Sequence, residues 1–152
     1  GNESEKDLIE LSKDIFFYFG LGCRNVSSLF VPEGYDFEKL FNAFYSFRSI
    51  LHNHKYANNY DYNKAMCLFN SDPIIENGFM ILKEELSLYS PVAMLYFSYY
   101  KDLSSVDSFL KENKESIQCI VSKKYIPFGR SQFPDLSDYA DGIDVLNFLD
   151  NI

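Results

Sequence analysis

At 152 residues, with 47% hydrophobic and 18% aromatic side chains (15 Phe, 12 Tyr, no Trp), the chain has the balance of one globular domain with a sizeable core. A net charge of −8 with no Lys/Arg cluster argues against nucleic-acid binding, which needs a basic face to neutralise phosphates. No apolar run approaches a membrane span, and three cysteines, an odd number without paired spacing, fit a reducing cytoplasm better than a disulfide scaffold.

The start GNESEKDLIE is polar rather than signal-like, and Gly1 stands where an initiator Met would, so the chain is expected to be cut from something longer. Asn2 or Ser4 can cap a first helix, in which Leu8, Ile9, Leu11, Ile15, Phe16 and Phe19 keep helical spacing up to Gly20. Val26 to Val31 reads as a short buried strand closed by Pro32-Glu33-Gly34. Asp36 opens a second helix, Phe37 to about Leu51, with Leu40, Phe41, Phe44 and Phe47 on one stripe.

The segment HNHKYANNYDY, His52 to Tyr62, reads as a polar, aromatic loop leading to a helix around Lys64 to Phe69. Phe79 to Leu82 and Val92 to Tyr96 are the next strands, Leu103 to Asn113 a helix and Ile117 to Val121 a further strand. Pro127-Phe128-Gly129 opens a loop, and Asp144 to Leu149 forms a short last helix. The alternation predicts an α/β fold, a largely parallel sheet with flanking helices.

Among groups that carry chemistry, Cys23 stands out, just after Gly20-Leu21-Gly22 and just before a strand. A thiolate is a nucleophile, and glycines allow close backbone approach to a substrate. Residue type alone equally allows a buried core cysteine at this position, and makes that the commoner case. Cys67 and Cys119 lie in apolar patterns and read as core. His52 and His54 form His-x-His with no third ligand at a convincing spacing, so no metal site is expected. Glu84-Glu85 could do acid–base work or simply be solvated. No glycine-rich phosphate loop follows a strand.

Three stretches together resemble one superfamily. Phe16-Phe17-x-x-Gly20-x-x-Cys23-x-x-x-Ser27-x-Leu29-Phe30-Val31 resembles the catalytic-cysteine segment F-F-x-x-G-Q-x-C-x-x-x-S-R-I-Y-V of aldehyde dehydrogenases, with Leu21 for Gln and Ser28 for Arg. Glu84-Glu85-Leu86-Ser87-Leu88-Tyr89-Ser90-Pro91-Val92 is similar to their E-E-I-F-G-P-V segment, with Ser90 for Gly and extra residues before it. Ile126-Pro127-Phe128-Gly129-Arg130-Ser131 is similar to P-F-G-G-x-K-x-S. GCRNVSSLFVPEGYD, HNHKYANNYDYNKA and PFGRSQFPDLSDYADGIDVLNFL narrow the resemblance to acyl-CoA reductases of the bacterial bioluminescence type, over nearly all of residues 4 to 150.

The resemblance implies the C-terminal, cysteine-bearing half of an enzyme that reduces an acyl-CoA thioester to an aldehyde with NADPH or NADH. Cys23 is then the nucleophile, its backbone N–H part of the oxyanion hole, and one of Glu84 and Glu85 the carboxylate at the nicotinamide ribose. An N-terminal nucleotide-binding half would be the partner that holds most of the cofactor, and some of the candidate aromatics Phe16 to Phe19, Tyr56, Tyr60 and Tyr62 are expected to face it or a second copy in a homodimer. Two other readings stand beside this one: a non-catalytic interaction module on the same fold, and an aldehyde dehydrogenase working in the oxidative direction.

Overall fold

The computed structural model describes residues 1–139 and 142–151. Four strands, β1 (Ser28–Pro32), β2 (Ile74–Glu76), β3 (Ile81–Glu84) and β4 (Met94–Tyr100), form one sheet in the order β1-β4-β3-β2. β4 runs parallel to both β1 and β3, whereas β2 pairs antiparallel with β3, so the sheet is mixed. Helices α1 (Glu5–Phe16), α2 (Phe37–Phe44) and α3 (His54–Asn70) share a core with the sheet, centred on Leu40, Phe44, Met80, Ile81, Leu82 and Leu95. Strand alternation turns Phe30 the other way, onto Phe109 of α4 (Leu103–Glu112) at 5.2 Å between rings. A short helix, α5 (Val145–Asp150), follows near the end.

Each helix starts where its sequence provides an acceptor. Ser4 forms a capping box with Asp7 at the head of α1, while Asp36, Asn53 and Asp102 accept amide hydrogen bonds at α2, α3 and α4. α1 stops at Phe16 instead of reaching Gly20. Phe16 stacks on Phe47 at 5.2 Å and meets Phe44 edge-on at 5.5 Å, filling the one stripe a helix can bury. Tyr18 and Phe19 then turn left-handed (φ 54° and 60°) in a 3-10 segment, Phe17–Gly20, that carries the chain out to solvent. α2 likewise tightens into a 3-10 segment, Tyr45–His52.

Two predicted elements differ. From His54 onward the polar stretch belongs to α3, because Asn53 caps it and Tyr56, Tyr60, Asn63 and Cys67 fall on one buried face, which puts Tyr56 and Tyr60 in the core and not on a partner-facing surface. That face is built from polar-tipped side chains: the Tyr56 hydroxyl donates to the Phe79 carbonyl at 3.0 Å and the Asn63 amide to the Val92 carbonyl at 2.9 Å. Ile117 to Val121 does not form a strand. Its backbone closes the local loop 120–126 instead, with a single bridge between Val121 and Ile126 and the Ile126 N–H on the Ile120 carbonyl at 3.0 Å.

The deepest tie is a carboxylate on α1. Asp14 is 1% exposed, and its two oxygens accept from the Gly129 N–H at 2.6 Å and the Ser131 N–H at 2.9 Å, some 115 residues away in sequence. Asp14→Ala strands both buried donors, each worth about 1–3 kcal/mol, so the variant should lose about 2–6 kcal/mol in urea unfolding. Alkaline stability provides a second check. Burial, with the charges of Glu3 and Asp36, pushes the Tyr35 phenol up to about 12, and burial also raises Tyr56 and Tyr60. Phenols that ionise near pH 10 when unfolded therefore favour the native state below that pH, so the melting temperature should fall as pH climbs past about 10, with tyrosinate absorbance appearing at unfolding.

Candidate active site

Cys23 sits on the turn between the 3-10 segment and β1. The Asn25 N–H closes that turn on the Gly22 carbonyl at 3.0 Å, and the Val26 N–H ties its far side to the Asp14 carbonyl at 3.1 Å. The two residues after Gly22 divide their roles. Arg24 turns inward and is 7% exposed, donating Nε–H to the Ser131 carbonyl at 2.7 Å with its guanidinium 3.7 Å from the Asp138 carboxylate. Cys23 turns outward and is exposed. Among the described residues neither the Cys23 nor the Arg24 amide has an acceptor, so two backbone donors stand free beside the thiol.

The three sequence stretches singled out above meet at this turn. Asp14 and Arg24 hold Gly129-Arg130-Ser131 against it from the C-terminal side. Ser27 donates its hydroxyl to the Leu88 carbonyl at 2.5 Å, joining the Glu84–Val92 stretch to the start of β1. Gly129 has φ +78°, and a side chain there would strike Glu10. Ala140 and Asp141, inside the C-terminal stretch, lie outside the described residues.

A cavity of about 980 Å³ opens at the turn, lined by Gly22, Cys23, Asn25, Ser27, Leu29 and Cys119 among others. Glu84 and Glu85 are not on it. Both are exposed at the end of β3 and border a smaller cavity of about 640 Å³ that meets the larger one at Phe30, Tyr100 and Val106. The Glu85 carboxylate lies 3.6 Å from Lys83, which also binds Asp72 at 3.0 Å. Burial pushes the Cys67 thiol up inside α3. Cys119 is half-buried. Burial pushes its thiol up against the pull of the Arg24 charge, and negative charge on Asp14 and Cys23 adds to the rise. His52 and His54 flank Asn53 at the head of α3, and no three His, Cys, Asp or Glu among the described residues gather around a common point.

Sequence reasoning missed Asp14, Arg24 and Gln132. Asp14 carried a visible signal: an acid between Leu11 and Ile15 on the apolar stripe of α1, a place where a charge needs dedicated donors. Gln132 carried none. Its side-chain amide packs on Gly22, and its Nε2, like Ser131 Oγ and Asn25 Oδ1, is buried without a partner among the described residues.

The chain matches no protein-family model and no curated protein.

A Cβ added at Gly22 would stand 2.8 Å from Gln132 Oε1 and 3.0 Å from its Nε2. Because the atoms in the way are the far end of a flexible side chain, Gly22→Ala should cost less than about 1 kcal/mol, and that cost should vanish in a Gln132→Ala background. Chemical denaturation of the four proteins of this cycle checks the coupling.

Proposed function

We propose that the chain is the cysteine-bearing catalytic half of an acyl-CoA reductase with the aldehyde dehydrogenase type of fold, working in the cytoplasm on acyl-CoA thioesters. The observation that carries this reading is the placement of Cys23: an exposed thiol on a tight turn, at a cavity, beside two backbone amides with no acceptor among the described residues. A core cysteine would have none of these.

The chemistry available to the chain's own residues is acyl transfer. The Cys23 thiolate attacks the thioester carbonyl carbon, a carbon–sulfur bond forms, and charge develops on the carbonyl oxygen. The free amides at Cys23 and Arg24 are the donors on hand for that oxyanion, a contribution commonly worth about 3–4 kcal/mol per donor in acyl-transfer sites. Collapse breaks the bond to the CoA sulfur, and CoA leaves as a thiolate that takes a proton from water. Arg24, locked to Ser131, keeps the turn from yielding as the tetrahedral centre forms.

A nicotinamide, NADPH or NADH, would supply the hydride that converts the acyl group to an aldehyde. The described residues do not fit that cofactor by themselves: they offer no glycine-rich diphosphate cradle, and Glu84 and Glu85 border a different cavity from Cys23. The reading therefore assigns the cofactor to a separate nucleotide-binding half. The same reading makes the exposed Tyr18, Phe19 and Leu21 beside the thiol a contact face for that half or for a second copy in a homodimer.

Incubation of the chain with an acyl-CoA should leave an acyl adduct visible by intact mass, mapped to Cys23 and absent from Cys23→Ala. An adduct of equal yield on the Cys23→Ala protein would overturn the assignment.

A further inference from the structure

Cys23 is not the only thiol at its cavity. Cys119 lines the same space, and its Sγ lies 3.5 Å from the Arg24 carbonyl oxygen, one peptide unit from Cys23. Both cysteines sit on irregular backbone, Cys23 in the turn before β1 and Cys119 between the 3-10 segment Lys114–Ser116 and the Val121–Ile126 bridge. Disulfide formation needs Cα atoms within about 7 Å, and irregular segments adjust to that more readily than a helix or a paired strand. Cys67, by contrast, is fixed inside α3.

The two thiols also differ in the way that a redox pair requires. Cys23 is exposed and meets soluble oxidants first, whereas Cys119 is sheltered and stays a thiol until a partner is presented.

We propose that Cys119 is a resolving thiol for Cys23: peroxide oxidation of Cys23 is captured as a reversible Cys23–Cys119 disulfide, which withdraws the exposed thiol from chemistry and protects it from irreversible oxidation. In the first step the Cys23 thiolate attacks a peroxide oxygen, the O–O bond breaks, and the hydroxide released is protonated to water, leaving a sulfenic acid. In the second, Cys119 loses its proton and attacks the Cys23 sulfur. The S–O bond breaks, and the departing hydroxide takes up that proton as a second water. Overall, two thiols and one hydrogen peroxide give one disulfide and two waters. As regulation of acyl transfer this rests on the reading of Cys23 as nucleophile; the crosslink itself does not.

The test treats the reduced full chain with hydrogen peroxide at neutral pH, blocks remaining thiols, and maps peptides without reductant. The wild type should give a linked Cys23–Cys119 peptide that dithiothreitol releases, with Cys67 still free to alkylate. Cys119→Ser should lose the linked peptide and accumulate Cys23 as sulfinic or sulfonic acid. Cys119→Ala replaces it should the serine variant fail to fold by circular dichroism. Cys23 reaching sulfinic acid in the wild type without a linked peptide, resisting oxidation, or pairing with Cys67 would each overturn the inference. Hexanoyl-CoA acylation of the reduced wild type, run in parallel, separates the two readings. A linked peptide without an adduct supports the crosslink and removes acyl transfer, whereas an adduct without a linked peptide overturns the crosslink alone.

Discussion

Everything around the exposed thiol depends on a carboxylate that never meets solvent. A lone buried acid is costly, and Asp14 is tolerated because two backbone amides point at its oxygens. Those amides belong to a loop that has no regular structure and would otherwise have nothing to fold against. The acid thus converts an apolar helix face into a socket for a distant loop. Once the loop is seated, its Ser131 carbonyl becomes the acceptor that draws Arg24 inward. Arg24 is thereby committed to the interior, while Cys23 before it faces outward.

The same region accepts backbone strain that the rest of the molecule avoids. Two consecutive aromatic residues, Tyr18 and Phe19, hold positive φ, which commonly costs about 1–3 kcal/mol per residue. Gly20 follows at φ +72°, where a glycine meets no such penalty. The strain arises because Phe16 is anchored among Phe44, Phe47 and Phe79, while the chain must reverse within a few residues to reach the turn.

Much of the architecture was legible because periodic apolar spacing and helix caps are local signals. α1, α2, α4 and α5 begin at residues whose side chains accept the first amide hydrogen bonds, and β1, β3 and β4 fall within a few residues of apolar runs. The second half of α3, Lys64 to Phe69, was legible, but its first half was hidden because tyrosine hydroxyls and an asparagine amide satisfy the buried face, so composition suggests a loop where geometry makes a core helix. The three-residue β2 was too short to announce itself, and its antiparallel pairing makes the sheet mixed. In the candidate site, glycines and a cysteine mark the turn that borders the cavity. Arg24 and Gln132 escaped notice because their partners come from the other end of the chain, and no local pattern encodes a contact made at that distance.

That distance has a temporal meaning. Asp14 and Gly129 are separated by 115 residues, and β1 must wait for β4 before its ladder can form. At ribosomal speeds of about 5–20 residues per second, the α1 carboxylate emerges roughly 6–23 seconds before the amides that will donate to it. During that interval a helix whose other buried residues are mostly apolar carries an acid with no donors, which weakens premature collapse around α1. Contacts of such long sequence separation also slow folding, since their loop closure must precede any gain from the contact. The contacts that seat the thiol-bearing turn against the C-terminal loop can therefore form only once that loop has been made.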